Sequence, residues 1–200
     1  MQTTDYNGLH LYLFNDVYEP AEDSYLLAES VDMEKPTDKK VLEMGCGCGM
    51  AGLYAARFAK RVDLVDINPS AVSCAQMNIV SNKIKNASAF ESDLFQNVKS
   101  KYDLVLFNPP YLPTDKETKI KGNVNYAFDG GRDGVLTVAR FMEQADKHLK
   151  KDGKVYIILS SLGAMDKINR VAERNHFNLI RIKKIPFFFE EIYLMKMVRA

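Results

Sequence analysis

The sequence predicts an α/β fold in which a seven-stranded, mostly parallel sheet has helices on both faces and an antiparallel last strand. Three observations predict it. Short apolar runs alternate along the chain with segments of helical periodicity, as in βαβ units. The first run, residues 41–44, is mostly apolar and stops at a glycine cluster, as buried parallel strands do. The last two runs have no helix between them, so they are expected to pair antiparallel.

Each predicted element follows from its own residue pattern. The strands are apolar and β-branched runs at 41–44, 61–66, 87–91, 102–107, 154–159, 179–184 and 192–198. The helices carry apolar residues three or four apart and are expected at 50–59, 69–82, 133 or 134 to 149, and 164–175. Asn68 and Pro69 suit an N-cap and a first helical turn, and Asp152-Gly153 suits a turn. Since no linker or repeat is visible, residues 1–200 are expected to form one domain.

Composition and charge exclude several classes of protein. Of the 200 residues, 46% are hydrophobic and 26% are charged, which excludes disordered, collagen-like and disulfide-rich chains. The formal net charge is +1, whereas proteins that hold a nucleic-acid duplex usually have a clear basic excess. Three cysteines suit a reducing compartment, and neither a secretory signal nor an apolar run of about 20 residues is visible. We expect a cytoplasmic protein with no membrane span, and the three separated histidines predict no metal site.

A glycine loop follows the first predicted strand. Residues 43–49 (EMGCGCG) place three glycines between a strand and a helix, where glycine permits a tight turn and close approach of the backbone to a ligand. Met50 stands where the dinucleotide-binding fingerprint has its third glycine, and no basic residue between positions 41 and 56 offers to hold a phosphate. With Glu43 at its head, the loop favours a neutral or cationic ligand. An ordinary strand–helix turn is the alternative.

Acidic residues follow the next two strands. Asp66 lies 21 residues after Gly45, the distance expected of an acid that accepts both ribose hydroxyls of a nucleoside. Asp93 and Leu94 follow the third strand, where a carboxylate and an apolar side chain can take the amine and the ring face of adenine. A helix cap and a turn acid are the alternatives for the two aspartates. Because the carboxyl ends of parallel strands share one edge, the three features together favour adenosine with a cationic group beside the glycines, which is S-adenosylmethionine.

A second group of site residues follows the fourth strand, at residues 108–111 (NPPY). Asn108 offers an amide oxygen, Pro109 and Pro110 remove two N–H donors and leave carbonyl acceptors, and Tyr111 supplies an aromatic face. Such a corner can accept both hydrogens of a planar nitrogen while the ring stacks on its π-system. We expect catalysis there by orientation and electrostatics without a strong base. A rigid strand exit is the alternative.

On these motifs the chain resembles the class I S-adenosylmethionine-dependent methyltransferases, and among them the HemK-related glutamine methyltransferases that modify release factors. The resemblance covers residues 17–111 and implies a Rossmann-like core at 36–200 behind an N-terminal segment, residues 1–35, that covers the cofactor. Residues 17–24 (VYEPAEDS) are similar to the covering segment, with Ser24 where threonine is common. Because about sixteen residues precede that segment, the chain is similar to the short archaeal and eukaryotic branch.

The resemblance also implies a role for each site residue. The implied cofactor contacts are Tyr18, Ser24, Glu43, Gly45, Gly47, Gly49, Asp66, Asp93, Leu94 and Asn108. The implied catalytic residues, which hold the target nitrogen, are Asn108, Pro109, Pro110 and Tyr111. The implied substrate is the glutamine in the Gly-Gly-Gln tip of a class I release factor. The short branch commonly works with a small zinc-binding activator subunit, which we expect on the edge strand 87–91 if it binds by adding a strand.

The same residues allow other interpretations. The same corner serves DNA and RNA methyltransferases that flip a base and methylate its amine, although these need a recognition module or a basic face. The basic cluster at Lys116, Lys119 and Lys121 favours a solvated loop and otherwise a steering role. A lysine methyltransferase is a further alternative, to which a stacking corner is less suited. Residues 187–189 (FFF) are expected in the core or in a lid, with a subunit contact as the second interpretation.

Overall fold

The computed structural model describes residues 2–110 and 135–200. The strands in these ranges are Gln2–Tyr6 (β1), Leu9–Leu13 (β2), Lys40–Met44 (β3), Arg61–Asp66 (β4), Ala87–Glu91 (β5), Tyr102–Phe107 (β6), Leu149–Ser160 (β7), Phe177–Phe187 (β8) and Glu190–Arg199 (β9). The helices are Glu22–Glu34 (α1), Met50–Ala55 (α2), Pro69–Ser81 (α3), Leu136–His148 (α4) and Met165–Arg174 (α5). Tyr111 and the lysines at 116, 119 and 121 lie outside the described residues.

Seven of these strands form one sheet in the order β5-β4-β3-β6-β7-β9-β8. β3 pairs in parallel with both β4 and β6, and the pairs β4–β5 and β6–β7 are also parallel. β9, the last strand, is antiparallel to both of its neighbours, β7 and β8. The predicted fold class is therefore confirmed, and β5 lies at an edge of the sheet as expected.

Helices cover both faces of the sheet. One apolar cluster contains Leu11 of β2, Val31 of α1 and Leu53 of α2, each with no exposed area. The other cluster, on the opposite face, contains Phe141 of α4 and Ile168 of α5. Successive side chains of a strand point to opposite faces, so the buried central strands of this sheet supply both clusters. The separation into two clusters is the layered packing that the sequence predicts.

The second helix is shorter than predicted, since α2 ends at Ala55 rather than at position 59. The Nδ2 group of Asn86 donates to the carbonyl oxygens of both Ala56 and Ala59 at 2.8 Å. The side chain of a distant residue thus donates to carbonyl groups that would be bonded within the helix if the helix were longer. The helical periodicity of residues 56–59 could not reveal this.

The predicted turn at Asp152-Gly153 lies inside β7. Leu149 pairs with Tyr102 and Lys154 pairs with Leu104, so the register shifts between the two pairs. The residues between them form a bulge of a continuous strand. A bulge and a turn share the same residue preferences, which explains the wrong prediction.

Two N-terminal elements were not predicted from the sequence. Residues 2–13 form the antiparallel hairpin β1–β2, which turns at Asn7 and Gly8, both with positive φ, 44° and 80°. Helix α1 follows it.

The segment 187–189 also differs from expectation, because Phe188 and Phe189 are 89% and 98% exposed at the turn between β8 and β9. Those two side chains lie outside the core.

Glu34 joins helix α1 to the sheet by hydrogen bonds. Its carboxylate accepts hydrogen bonds from Lys154 Nζ at 2.7 Å and Tyr156 Oη at 2.8 Å on β7, and from Lys196 Nζ at 3.1 Å on β9. Burial alone would raise the pKa of Glu34, but these three hydrogen bonds outweigh it and lower the pKa from 4.5 to about 2. The ionised form therefore favours the folded chain.

Replacing Glu34 by Gln should lower the free energy of unfolding at neutral pH by about 1–2 kcal/mol, the range of hydrogen bonds to a charged group with partial solvent screening. A lowered pKa contributes stability above the unfolded value and loses it as pH falls, so the difference from wild type should shrink between pH 4.5 and about 2. Chemical denaturation at several pH values measures this. Glu29→Gln, which breaks a pair with Lys183 that is 42% exposed on both sides, is the control and should change little. A difference that is independent of pH contradicts the prediction.

Candidate active site

The sheet order brings the predicted site residues to one edge. β3 lies between β4 and β6, and its last residue, Met44, pairs with Val65 of β4 and Phe107 of β6. Asp66 pairs with Glu91 of β5. The glycine loop, Asp66, Asp93 and Asn108 thus follow four adjacent strands at their carboxyl ends, where ligands bind in open α/β sheets.

The three glycines of the loop adopt conformations that favour glycine. Gly45, Gly47 and Gly49 have φ values of 62°, 54° and 85°. A Cβ atom on Gly49 would lie 2.9 Å from Leu64 Cδ2, so this position also needs glycine for close packing. Among the described residues, the atom nearest to a Cβ atom on Gly47 would be Val17 Cγ1, at 3.9 Å. The backbone at Gly47 is therefore open to a ligand.

Glu43 lies beneath the glycine loop and is 5% exposed. Its Oε2 atom accepts a hydrogen bond from the backbone N–H of Gly52 at 2.9 Å. Burial raises the pKa of Glu43 to about 8, while the backbone N–H groups of Gly52 and Ala51 oppose the rise and the charge of Asp66 adds to it. A Cβ atom on Gly52 would lie 2.6 Å from Glu43 Oε2 and 3.1 Å from Glu43 Cβ, so glycine in the first turn of α2 makes room for the Glu43 side chain. The sequence reasoning did not identify Gly52.

Asp66 connects the glycine loop to the start of α3. Its Oδ2 atom accepts from the backbone N–H of Gly47, and its Oδ1 atom accepts from that of Asn68, both at 2.9 Å. Burial raises the pKa of Asp66, and the backbone hydrogen bonds oppose that rise. Asn68 caps α3 as predicted, since its Oδ1 accepts from Ser70 N. Each carboxylate oxygen has a second lone pair, so Asp66 can still accept hydroxyl groups of a ligand.

Asp93 and Leu94 lie where β5 ends, with different surroundings. Asp93 Oδ2 accepts from Arg140 Nη2 of α4 at 2.8 Å, and both side chains are partly exposed. Leu94 has a positive φ of 48° and is buried in the apolar cluster on the α4 face. The Oγ of Ser92 donates to the carbonyl of Leu94 at 2.7 Å and fixes that turn. Asp93 is therefore a partly exposed acid, and its partner Arg140 was not predicted from the sequence.

The corner after β6 contains an unsatisfied acceptor. Asn108 Nδ2 donates to Asp23 Oδ2 at 2.9 Å. Asn108 Oδ1 is buried and has no hydrogen-bond partner within residues 2–110 and 135–200. Pro109 is buried and Pro110 is partly buried. A buried, orphaned amide oxygen is costly, so its persistence indicates a site built to receive a donor from a ligand.

Asp23 is a further residue of the site that the sequence reasoning did not single out. It lies in the first turn of α1 and is 5% exposed. Its carboxylate accepts from Tyr18 Oη at 3.2 Å and from the backbone N–H of Ser24 at 2.7 Å, in addition to Asn108. Burial and the Asp23 carboxylate raise the pKa of Tyr18. The covering segment and the corner are therefore joined through one buried acid.

The surroundings of the two loop cysteines disfavour a nucleophilic role. Cys46 and Cys48 are buried, and burial raises the pKa of both thiols, which disfavours the nucleophilic thiolate. Among the residues that the structure describes, no three His, Cys, Asp or Glu side chains are grouped so that they could hold a metal ion. In the same residues, no helix has both the length and the apolar character that crossing a membrane requires.

A seven-stranded sheet of this order, with glycines and acids at these strand ends, is the architecture of Rossmann-like methyltransferases. The methyltransferase small domain family matches residues 21–181, and the chain belongs to this family. It is a methyltransferase, and its cofactor is S-adenosylmethionine. Three features fit such a cofactor and a nitrogen substrate: the open backbone at Gly47, the acceptors of Asp66, and the Asn108 oxygen that has no partner among the described residues.

Three comparisons with known proteins support this assignment. A Methanocaldococcus jannaschii protein, provisionally named a protein N5-glutamine methyltransferase, is 48% identical over 167 residues, which cover 82% of this chain and 83% of that protein. The Streptococcus pneumoniae release factor glutamine methyltransferase is 31% identical and covers 76% of this chain, which spans 57% of that enzyme. The structure of the E. cuniculi Mtq2–Trm112 complex, described as responsible for methylation of the translation termination factor eRF1, matches with a TM-score of 0.71 and 24% identity, covering 92% and 99% of the two chains.

Proposed function

We propose that this enzyme transfers a methyl group from S-adenosylmethionine to the side-chain amide nitrogen, N5, of a protein glutamine. The proposed substrate is the glutamine in the Gly-Gly-Gln tip of a class I release factor. The proposal rests on the buried Oδ1 atom of Asn108, beside two prolines, which accepts no hydrogen bond from the residues that the structure describes. An amide NH₂ group is a planar donor that can satisfy it. The names of the relatives from M. jannaschii and S. pneumoniae support the same chemistry.

The roles of the site residues follow from their positions. The cofactor, when bound, supplies an electrophilic methyl group on a sulfonium. We assign the ribose hydroxyls to Asp66, the adenine to Asp93 and Leu94, and the methionine end to the loop headed by Glu43. The remaining proposed cofactor contacts are Tyr18, Ser24, Gly45, Gly47, Gly49 and Asn108. In this proposal residues 1–35 cover the cofactor and residues 36–200 form the core, both within one domain.

The chemistry at the corner is orientation and electrostatic stabilisation. Asn108 Oδ1 accepts one hydrogen of the target amide, and the Pro109 carbonyl accepts the other. The role proposed for Tyr111, a residue outside the described ranges, is to stack on the amide plane. The amide nitrogen forms a bond to the methyl group as the sulfonium–methyl bond breaks, and the nitrogen loses one hydrogen as a proton to solvent. No strong base is required, because positioning and preorganised acceptors lower the barrier.

Methyl transfer from labelled S-adenosylmethionine to three substrates tests the proposal. The substrates are a release factor with its Gly-Gly-Gln loop, the same factor with that glutamine changed to alanine, and a mixed pool of DNA and RNA. We expect label on the first alone. Label on the alanine variant excludes that glutamine as the target, and label on nucleic acid alone moves the assignment to a base amine. Because translation termination is cytoplasmic, the proposed substrate also implies that compartment.

We also propose that a small zinc-binding activator subunit binds at the edge strand β5. The edge position of β5 and the partnered complex of the E. cuniculi relative support this. The edge is partly covered by side chains: Gln76 Nε2 donates to the carbonyl of Ala89, and Asn97 Nδ2 donates to that of Glu91, both at 3.0 Å. A partner that adds a strand must displace these two amides.

Amide hydrogen exchange measured with and without the activator tests the edge proposal. We expect added protection at Ala87–Glu91, and we expect Gln76→Ala, which exposes a carbonyl of that strand, to leave binding intact or stronger. The other edge strand, β8, is the internal control and should be unchanged. Full activity without a partner, together with unchanged protection of β5 in its presence, contradicts the proposal.

The affinity for S-adenosylmethionine should depend on the ionisation of Glu43. Burial raises the pKa of Glu43 to about 8, so below that pH the empty protein holds the side chain neutral. A cationic ligand favours the ionised carboxylate, so binding releases a proton and the affinity rises with pH through about 8. In the empty protein the same shift acts on stability: the contribution of protonated Glu43 is complete below pH 4.5 and is lost as pH rises through about 8.

Calorimetric titration of the wild type and of Glu43→Gln from about pH 6 to pH 9 measures this linkage. Protonation of the ligand itself changes both Kd values by the same factor, so its effect cancels in the ratio of the wild-type Kd to the variant Kd. We expect that ratio to fall as pH rises. A ratio that stays constant across the range shows that Glu43 does not respond to the bound cation.

A further inference from the structure

One hydrogen bond joins the N-terminal segment to the catalytic corner. Asn108 Nδ2, at the end of β6, donates to Asp23 Oδ2, in the first turn of α1, at 2.9 Å and across 85 positions of sequence. Asp23 is among the few buried acids of the described chain, with 5% exposure. On the other side of the Asn108 amide, Oδ1 is buried and has no hydrogen-bond partner in the described part of the chain. The two ends of this amide therefore have different surroundings.

The orientation of an asparagine amide is decided by its partners. Its oxygen and its NH₂ group have nearly the same shape, so packing alone does not distinguish the two orientations. An ionised carboxylate only accepts hydrogen bonds, so the amide end that faces Asp23 must be the NH₂ group. The oxygen is then held toward the site. Donation to a charged acceptor also polarises the amide and strengthens its oxygen as an acceptor.

We propose that Asp23 is the positioning residue that keeps Asn108 Oδ1, rather than Nδ2, directed at the substrate nitrogen. This inference rests on the proposed glutamine methylation and deepens it. Asp23 does not touch the reacting atoms in this assignment; it acts through Asn108. A flipped Asn108 would present an NH₂ donor to the NH₂ group of the substrate, and the two donors would repel each other.

The other contacts of Asp23 determine what an asparagine there would do. Asp23 Oδ1 accepts from the backbone N–H of Ser24 at 2.7 Å, and the Tyr18 hydroxyl, 3.2 Å from both Oδ1 and Oδ2, also donates to the carboxylate. In Asp23→Asn the remaining oxygen is needed by this backbone N–H group, since a buried unpaired N–H is costly. The new NH₂ group then faces the NH₂ group of Asn108. The conflict is relieved when the Asn108 amide flips and turns its NH₂ toward the substrate.

Steady-state kinetics with a release factor as substrate test this inference. We expect Asp23→Asn to lower kcat by at least about tenfold and to leave the Kd for S-adenosylmethionine within about threefold. Asp63→Asn is the matched control, because Asp63 is also buried, at 4% exposure, and accepts from Tyr102, Ser88 and Arg61 away from the corner. It should lower the melting temperature with kcat unchanged. Equal losses of kcat in the two variants overturn the inference.

A reciprocal exchange provides a second, independent readout. Asn108→Asp alone places two carboxylates side by side and should be nearly inactive. In the double variant Asp23→Asn/Asn108→Asp, the NH₂ group of residue 23 donates to the carboxylate of residue 108, whose other oxygen faces the substrate. We expect the double variant to exceed the kcat of both single variants by about tenfold or more. A double variant no more active than Asn108→Asp overturns the inference.

The amide orientation can also be observed without turnover. In ¹⁵N-asparagine-labelled protein, the side-chain NH₂ signals of Asn108 are identified by their loss in Asn108→Asp. We expect one of these protons to resonate downfield and to exchange slowly in the wild type, and to lose both properties in Asp23→Asn. Unchanged signals overturn the inference. If wild-type enzyme labels no glutamine while these signals behave as expected, the proposed substrate is wrong and the positioning role stands.

Discussion

Replacing Asn108 by Ala should reduce kcat by about 30–1000-fold, equivalent to about 2–4 kcal/mol of transition-state stabilisation, while S-adenosylmethionine still binds. The expected loss is large because the variant removes a preorganised acceptor that is buried and satisfied by no other group in the described chain. It also removes the donor to Asp23, so a modest drop in melting temperature should accompany it.

Single-turnover methylation and calorimetric cofactor titration separate the two effects. Asn86→Ala serves as the control, because Asn86 also donates through Nδ2 to two acceptors, the carbonyls of Ala56 and Ala59, far from the corner. That variant should lose stability and keep its rate. If Asn108→Ala turns over at the wild-type rate, or if it loses cofactor affinity as strongly as rate, the role assigned to the corner is wrong.

Replacing Asp66 by Ala should instead act on the cofactor, raising its Kd by about 10–100-fold, the range expected when hydrogen bonds to a charged acceptor are lost. The carboxylate also accepts hydrogen bonds from the backbone N–H groups of Gly47 and Asn68, both at 2.9 Å. The variant loses these bonds, which hold the glycine loop in place. At saturating cofactor we expect kcat to recover to within a few-fold of the wild type.

The comparison variant for Asp66 is Asp63→Ala on the same strand, whose carboxylate serves Tyr102 and Ser88. It should destabilise the chain without changing the Kd for S-adenosylmethionine. Isothermal titration of both variants, with melting temperatures recorded alongside, gives the answer. Equal Kd values for Asp66→Ala and wild type contradict the assignment of the ribose to Asp66.

Features that depend on neighbouring residues were predictable from the sequence. A few consecutive residues are enough to identify each of three features: the glycines of the loop, the acid that ends β4 and the corner at the end of β6. The strand order then brings them together. The antiparallel last strand followed from the missing helix between two apolar runs. Both kinds of prediction rely on local pattern and on the rule that ligands bind at the carboxyl ends of parallel strands.

Features that join distant positions were not predictable in the same way. The contact of Asp23 with Asn108 spans 85 positions, and that of Arg140 with Asp93 spans 47. Nothing in either local pattern indicates its partner. The same holds for Asn86, whose side chain ends α2 early.

The N-terminal hairpin, by contrast, carried a signal that could have been used. Leu9, Leu11 and Leu13 alternate with His10 and Tyr12, and the three leucines are buried while His10 is exposed. Asn7-Gly8 before them is a strong signal for a tight hairpin turn. Period-two alternation beside such a turn predicts the hairpin that the structure contains.

The position of β9 has a consequence for how the chain is synthesised. β9 pairs with β7 on one side and β8 on the other, although β8 precedes it in sequence. While the ribosome is still making residues 190–199, β8 has no neighbour to pair with and β7 has an open edge. Since only residues 188–189 separate β8 from β9, these two strands can pair as a hairpin before β9 pairs with β7, and β7 exposes an unpaired edge until that late step.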